Sequence, residues 1–149
     1  MCRFVLTSEP EMEEFPLNPQ LEKDCVVLGD LPLCRVLLMN DSSYPWCILV
    51  PRVTEIEELF QLVDELQIQV ALESGILSRY MNDLFEADKM NVAALGNKVR
   101  QLHIHHVVRQ QNDAAWPEPV WGKVPAQAYS DDELAEMREK FQPLFDRFG

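Results

Sequence analysis

The chain has 149 residues and is strongly acidic, with 13 Lys and Arg against 25 Asp and Glu and a formal net charge of −12. Its length and its 47% hydrophobic content are typical of one globular domain with its own core. The charge argues against a protein that holds nucleic acid on a broad basic face, or that docks on an anionic membrane leaflet. A small anionic ligand remains possible, because it responds to its local surroundings. We therefore expect a single domain over residues 1–149, with no nucleic-acid polymer and no membrane among its partners.

The start of the chain and the cysteines indicate a cytoplasmic protein. Acidic residues follow the first apolar residues directly, unlike a secretory signal, and no apolar run approaches the roughly 20 residues that cross a bilayer. Residues 1–20 read as an irregular acidic segment. None of the four cysteines forms a C-x-x-C pair, and three lie in apolar runs, which favours buried reduced thiols over a disulfide framework or a zinc knuckle. They are Cys2, Cys25, Cys34 and Cys47.

Three apolar runs with turn residues between them predict an antiparallel meander. Their β-branched residues are typical of strands, and the prolines and the Asp-Ser-Ser segment between them suit tight turns. The runs are Cys25–Leu31, Cys34–Asn40 and Cys47–Pro51.

Helical signals follow the meander. Thr54-Glu55-Ile56-Glu57 has the S/T-x-x-E pattern of a capping box, so a helix is expected to begin at Thr54. Apolar residues at helical spacing continue to about Phe85, and this stretch is too long for one average helix. We therefore expect a short helix followed by a long one that packs across the sheet.

The last third of the chain predicts two strands and a terminal helix. The strands are Lys89–Leu95 and Val99–Arg109, and a loop rich in Trp and Pro follows them. A second capping pattern at Ser130 opens a helix to about Phe145, within a helical extension over residues 123–149. This order indicates the α+β class, with a mainly antiparallel sheet of about five strands, a long helix packed on it and a C-terminal helix.

All three histidines of the chain fall within four positions on the last predicted strand. Because alternate side chains share a face, Gln101, His103 and His105 project together, while His106 projects the other way, toward a helix. Burying such a polar row without partners is costly, so it either lines a pocket or is satisfied by hydrogen bonds.

Three interpretations of this row remain open. The histidines could be structural, satisfied at the surface or in the core. His103 and His105 could supply two zinc ligands, although no third protein ligand is evident nearby. An imidazole could also act as a nucleophile toward phosphorus, and the clustering of titratable groups favours a functional site.

The segment from Met90 to His105 resembles the histidine triad (HIT) superfamily of nucleotide hydrolases and transferases. The hallmark of that family is His-φ-His-φ-His-φ-φ on a strand, where φ is apolar, and here the block reads Gln-φ-His-φ-His. The resemblance covers about Asn18 to Trp121 and includes Ala115-Trp116-Pro117. It implies a HIT-like fold and a bacterial, homodimeric, cytoplasmic hydrolase that acts on a small nucleotide and requires no cofactor or metal.

The resemblance also implies roles for the three residues of the strand. His103, the middle member, becomes the nucleophile. His105, the third member, lies close to the phosphate and the leaving group. Gln101 takes the place of the first histidine, where its amide can hydrogen-bond and orient its neighbour but cannot titrate near neutral pH.

Five further residues match substrate-binding positions of the family. Asn91 corresponds to an active-site Asn that contacts phosphate or sugar, and Asn97 replaces the usual Gln after glycine, here Gly96. Asn40 stands where relatives contact ribose. Trp116 either lines the nucleotide pocket or braces the end of the chain.

Two departures from the family pattern keep a second function open. Gln101 breaks the literal triad, and Trp46 stands where many relatives carry a further histidine. The implied activity is phosphoramidase-like cleavage at the α-phosphate of a nucleotide ester, anhydride or amidate, through a nucleotidyl-histidine intermediate. The alternative is a nucleotide-binding or interaction module that keeps the fold but catalyses weakly.

Overall fold

A computed structural model of the chain describes residues 15–149. The elements in chain order are α1 (Pro19–Asp24), β1 (Cys25–Asp30), β2 (Cys34–Met39), β3 (Trp46–Pro51), a 3-10 turn (Leu59–Gln61), α2 (Asp64–Phe85), β4 (Lys89–Ala93), β5 (Ile104–Arg109) and α3 (Asp131–Asp146). The expectations for residues 1–14, including the Cys2 thiol, lie outside the described residues.

The five strands form one antiparallel sheet in the order β1-β2-β3-β5-β4. The first three strands follow one another as the predicted meander, each within one residue of its expected bounds. β5 inserts between β3 and β4, and all six of its residues are buried. The predicted fold class, with its five-stranded antiparallel sheet, long helix and C-terminal helix, is confirmed.

The two faces of the sheet bury different sets of residues. Helices α2 and α3 cover one face, where Val36 and Val108 belong to the larger apolar cluster. The other face is covered by the chain around Phe15 and by the loop after β5, and it takes Leu37 and Val107. Neighbours along a strand thus enter different clusters, as strand alternation requires.

A short 3-10 turn at Leu59–Gln61 precedes the long helix, which begins at Asp64, but the prediction that the short helix begins at Thr54 is wrong. Glu55 has a φ of 59°, a left-handed conformation that an α-helix cannot contain. The carboxylate of Glu57 does not return to cap the chain at Thr54 but pairs with Arg100 at 3.0 Å. A capping box forms instead on the 3-10 turn. The predicted end of this helix at Phe85 is confirmed.

The last strand begins at Ile104, not at the predicted Val99. Strand β4 ends opposite His105, so the preceding residues lose their neighbour on that side of the sheet. The backbone N–H of Leu102 instead donates to the carbonyl oxygen of Ile56 at 2.9 Å. A loop contact therefore replaces the strand pairing that the apolar pattern predicts.

The helix start predicted from the second capping pattern, at Ser130, is confirmed. The hydroxyl of Ser130 accepts the backbone N–H of Glu133 at 3.1 Å, and the Glu133 carboxylate accepts the backbone N–H of Ser130 at 2.8 Å. This reciprocal pair satisfies two donors at the start of α3. Helix α3 runs to Asp146, one residue beyond its expected end.

Candidate active site

Strand β5 brings the histidines to the interior of the sheet. His105 lies opposite Ile48 of β3, and His103 immediately precedes the strand. The ring centroids of His103 and His105 are 5.0 Å apart in an edge-to-face arrangement, and each residue is only 5% exposed. The two rings therefore lie together, as the alternation of side chains predicts.

The protonation of His103 follows from its partner. Its Nδ1 lies 2.7 Å from the backbone carbonyl oxygen of Gln101. Because a carbonyl oxygen only accepts, the ring proton must sit on Nδ1 in the neutral imidazole. The lone pair of a neutral His103 is consequently on Nε2, the nitrogen suited to nucleophilic attack.

His103 borders a cavity of about 660 Å³. Three residues that the sequence marks as site candidates also line this cavity: Gly96, Asn97 and Gln101. The 3-10 turn also contributes Leu59 and Phe60 to the lining. The cavity is large enough for a small molecule and mixes polar with apolar walls, as ligand sites do.

The protonation of His105 is opposite to that of His103. The indole Nε1 of Trp46 donates to Nδ1 of His105 at 3.0 Å. Indole N–H can only donate, so Nδ1 of His105 carries the lone pair and a neutral ring holds its proton on Nε2. The pair therefore presents one Nε2 as an acceptor and the other as a donor.

The surroundings of His105 keep the ring neutral. Burial, with smaller contributions from the neighbouring His103 and His106, lowers the pKa of His105 to about 3. The rings of Trp46 and Trp121 pack against it, with centroids at 5.7 and 5.1 Å. His105 is thus a hydrogen-bonding group rather than a cation at neutral pH.

His106 points away from this pair, as predicted. Its Nδ1 donates to the carbonyl oxygen of Ile104 at 3.0 Å, and its Nε2 accepts from the Ser74 hydroxyl of α2 at 2.7 Å. Burial lowers the pKa of this ring to about 4. His106 therefore joins the sheet to the long helix.

Gln101 contacts His103 through its backbone. Its side-chain oxygen accepts the backbone N–H of Asn18 at 2.7 Å, and its side-chain nitrogen donates to the carbonyl oxygen of Pro16 at 3.0 Å. The side-chain amide, which was predicted to orient the neighbouring histidine, thus hydrogen-bonds to the segment before α1. The backbone carbonyl oxygen of Gln101 is the group that orients the ring of His103.

The HIT domain model matches residues 20–112, well over half of the chain and all of the histidine region. This chain belongs to the HIT domain family. No curated protein sequence matches it.

Solved histidine triad proteins from bacteria are similar to this HIT chain over most of its length. One from Marinobacter aquaeolei VT8 is 51% identical with a TM-score of 0.88, over 91% of this chain and 98% of the other. One from Bradyrhizobium japonicum is 39% identical with a TM-score of 0.84, over 87% and 96%. One from Sinorhizobium meliloti 1021 is 37% identical with a TM-score of 0.85, over 89% and 98%.

Within the HIT fold, Asn91 lies on β4 opposite Val107, on the face of the sheet that also carries His105. We call this face the histidine side of the sheet. Its side-chain oxygen accepts from Arg109 Nη1 at 2.7 Å. A guanidinium only donates, so this bond fixes the amide orientation and leaves the Asn91 Nδ2 as the group able to donate to a phosphate or sugar. The resemblance to the HIT family points to Asn91, and the structure shows that Arg109 holds its amide in place.

The two tryptophans of the loop have different neighbours. Trp116 lies against the guanidinium of Arg109, whose Cζ is 5.6 Å from the ring centroid. Trp121 is the one that contacts His105, with ring centroids 5.1 Å apart, and its ring also lies 5.9 Å from that of Trp46. The HIT-like Trp-Pro element singles out Trp116, and no local signal in the loop distinguishes Trp121 as the ring beside His105.

Asn40 follows β2, which β3 separates from β5 in the sheet. Its side-chain oxygen accepts the backbone N–H of Tyr129 at 2.9 Å. Of the predicted substrate-binding residues, the structure brings Gly96 and Asn97 to the cavity and Asn91 to the histidine side of the sheet, and it joins Asn40 to the segment before α3.

Within residues 15–149, no group of three or more His, Cys, Asp or Glu side chains is placed to hold a metal ion. Zinc binding by the histidine pair meets a specific obstacle at His105. With Trp46 donating to Nδ1, coordination through Nε2 would leave the ring as an imidazolate. No helix in this described part of the chain is both long enough and apolar enough to cross a membrane.

Proposed function

We propose that this HIT protein is a nucleotide hydrolase or transferase in which His103 is the nucleophile. The proposal rests on the 2.7 Å hydrogen bond from Nδ1 of His103 to the carbonyl oxygen of Gln101. That bond holds the ring proton on Nδ1 and leaves the Nε2 lone pair available for attack. The cavity beside His103 supports the proposal, because it provides room for a substrate next to the nucleophile.

In the first step, Nε2 of His103 attacks the α-phosphorus of a nucleotide ester, anhydride or amidate. The P–N bond forms while the bond to the leaving group breaks, and the leaving group keeps that electron pair and takes a proton from solvent. The substituted ring is an imidazolium that retains its proton on Nδ1. The Gln101 carbonyl stabilises this positive charge through the same hydrogen bond.

In the second step, water or another acceptor attacks the same phosphorus. The P–N bond breaks, its electron pair returns to Nε2 of His103, and the proton of the attacking water passes to solvent. With water as acceptor, the product is a nucleoside monophosphate. Two displacements with lower barriers replace one difficult displacement.

His105 serves this chemistry as a hydrogen-bond donor. Its Nε2–H can donate to a phosphoryl oxygen, which stabilises the charge that develops there. Its Nδ1 already accepts from Trp46, so transfer of the Nε2 proton would leave an imidazolate. We therefore assign His105 to charge stabilisation rather than to acid catalysis, and we propose that no metal or other cofactor is required.

The proposed substrate is a small nucleotide. A net charge of −12 disfavours a long polyanion, whose affinity comes from many basic contacts. One phosphate group needs only local donors, and Asn97 beside Gly96 provides an amide in the wall of the His103 cavity. Asn91 adds a second amide on the histidine side of the sheet.

We further propose a homodimer that pairs the outer edge of β4 with the same strand of a second copy. β4 lies at the end of the sheet, and α2 packs against β4 and β5. Ile68, Leu72 and Val92 on these elements are 61%, 58% and 49% exposed. A second copy would extend the sheet and cover these side chains. Light scattering should give a dimeric mass for the wild type and a monomeric mass for L72E/V92K, and a monomeric wild type at micromolar concentration would contradict the dimer.

Turnover of adenosine phosphoramidates and dinucleoside polyphosphates tests the proposed activity. Wild type should release a nucleoside monophosphate, and His103→Ala should lose at least about a thousandfold in kcat. Rapid quenching followed by intact mass spectrometry should show a nucleotidyl adduct on wild type and none on the variant. Comparable thermal unfolding of the two proteins controls for folding.

Two results would reject the catalytic assignment of His103. Equal turnover by wild type and His103→Ala would show that this ring is not the nucleophile. Nucleotide binding by calorimetry without turnover in the wild type would identify a nucleotide-binding module that keeps the HIT fold.

A further inference from the structure

Trp46 is the first residue of β3 and lies next to His105 although it is far from it in sequence. The register of β3 and β5 places Trp46 opposite Val107 and Ile48 opposite His105. Trp46 is 6% exposed, so its indole N–H is withdrawn from solvent and needs a partner inside the protein. It finds that partner in Nδ1 of His105 at 3.0 Å.

The chemistry of this bond admits one arrangement of protons. Two groups that both donate and accept, such as two imidazoles, can exchange their roles. An indole cannot, so the Trp46–His105 bond exists only when Nδ1 of His105 is unprotonated. A doubly protonated His105 or its Nδ1–H tautomer would place two N–H groups against each other.

We propose that Trp46 is a positioning residue that holds His105 in the Nε2–H form, so that His103 and His105 face the reacting phosphorus as nucleophile and donor. The kinetic part of this inference rests on the proposed function. The tautomer itself is a property of the free protein and can be measured without any substrate.

The environment of His105 reinforces the effect of Trp46. The titratable groups that act on the ring are His103 and His106, and both disfavour its protonation, after the larger effect of burial. The neighbours from β3, from β4 and from the loop after β5 are uncharged: Trp46, Ile48, Ala93 and Trp121. With no carboxylate among these neighbours to stabilise an imidazolium, the hydrogen bond from Trp46 decides which neutral tautomer forms.

The three histidines give a spectroscopic pattern that tests this directly. His103 and His106 each donate from Nδ1 to a backbone carbonyl oxygen, whereas His105 accepts at Nδ1. Long-range ¹H–¹⁵N correlation spectra of the full chain should therefore show two Nδ1–H tautomers and one Nε2–H tautomer. Replacing each histidine by Gln in turn assigns the signals. A wild-type His105 found as the Nδ1–H tautomer would overturn the proposal.

Trp46→Phe removes the donor and keeps an aromatic ring. We expect His105 to populate both tautomers and to titrate about one pH unit higher than in wild type, because the bond that stabilises unprotonated Nδ1 is gone. We also expect kcat at pH 7 to fall roughly tenfold, because a His105 in the Nδ1–H tautomer has no Nε2–H to donate to the phosphoryl oxygen.

Tyr44→Phe is the matched control. Tyr44 is buried against Trp46 with ring centroids 6.3 Å apart, and its hydroxyl has no hydrogen-bond partner among the described residues. The Tyr44→Phe protein should keep the wild-type tautomer pattern and pH profile. An unchanged His106 signal in Trp46→Phe shows that the fold is retained. An unchanged His105 tautomer in that folded variant would overturn the role of Trp46, and a wild type without turnover would reject the proposed function while leaving this readout intact.

Discussion

Arg109 and Asp113 form a buried ion pair with two hydrogen bonds, from Nε to Oδ2 at 2.8 Å and from Nη2 to Oδ1 at 3.1 Å. Three backbone N–H groups of the same loop also donate to the Asp113 carboxylate, those of Gln110, Ala115 and Trp116. Arg109 in turn holds Asn91. The pair therefore anchors the loop after β5, and this loop places Trp121 against His105.

Asp113→Asn should destabilise the protein by about 3 kcal/mol, because it leaves the Arg109 charge buried without a counter-charge. Urea denaturation at neutral pH with an unchanged m-value measures this loss. Asp83→Asn, which changes an exposed carboxylate, is the matched control. A loss below about 1 kcal/mol would show that the pair does not anchor the loop.

Acid should weaken the same pair. Burial raises the pKa of Asp113, but the hydrogen bonds from Arg109 and from the backbone outweigh it and lower the pKa to about 2. A carboxylate with a depressed pKa stabilises the fold fully above its unfolded value of about 3.9 and loses that contribution as the pH falls toward 2. Below about pH 4, the unfolding free energy of Asp113→Asn should therefore depend less on pH than that of wild type.

The buried histidines make the unfolding free energy depend on pH in a higher range than Asp113 does. Burial lowers the pKa of His106 to about 4 and that of His105 to about 3, against about 6.5 for an unfolded ring. As the pH falls, these rings take up protons in the unfolded chain before they do so in the folded protein. Above about pH 6.5 they therefore do not lower the unfolding free energy, and on acidification each ring lowers it by up to about 1.4 kcal/mol per pH unit. His106→Gln should remove about half of this slope in denaturation series between pH 7 and pH 5. Identical slopes in the two proteins would contradict the assignment.

Gln101→Ala should separate the two functions of that residue. The variant loses both hydrogen bonds to the segment before α1, at a cost of about 2 kcal/mol, while the carbonyl that orients His103 remains. Hydrogen exchange should rise around residues 16–24, and kcat should fall far less than in His103→Ala. A loss of kcat equal to that of His103→Ala would show that the amide itself takes part in the reaction.

Glu73 illustrates a buried group that serves the fold. It is 0% exposed on α2, and its carboxylate accepts the backbone N–H groups of Leu33 at 2.9 Å and Cys34 at 2.8 Å. Glu73→Ala leaves both donors buried and unsatisfied, so we expect about 3 kcal/mol of destabilisation by urea denaturation. Glu73→Gln, which keeps one acceptor oxygen, should lose less. Equal losses would show that packing matters here rather than the two hydrogen bonds.

The sequence determines the local elements of this protein because their signals are short-range. Apolar runs with turn residues between them predict the three-stranded meander, and the Ser130 capping pattern predicts α3. Strand alternation places His103 and His105 together and sends His106 to the other face. The Gln-φ-His-φ-His block points to the HIT family, which the fold and the solved relatives confirm.

Local signals fail where a distant partner competes with them. The pattern at Thr54 predicts a helix, but Glu57 binds Arg100 instead. The apolar run from Val99 predicts strand, but β4 ends before it can pair there. In both places a tertiary contact overrides a local preference.

The tertiary structure decides which histidine nitrogens carry a proton and which residues hold the site in place. Trp46 and His105 are 59 positions apart, and Gln101 and Asn18 are 83 apart. A local pattern can show that an imidazole or an amide lies on a given face, but the donor that meets it depends on strand register and chain packing. For that reason the sequence locates the histidines of this HIT protein, while the fold determines which of their nitrogens carries a proton and which is free to react.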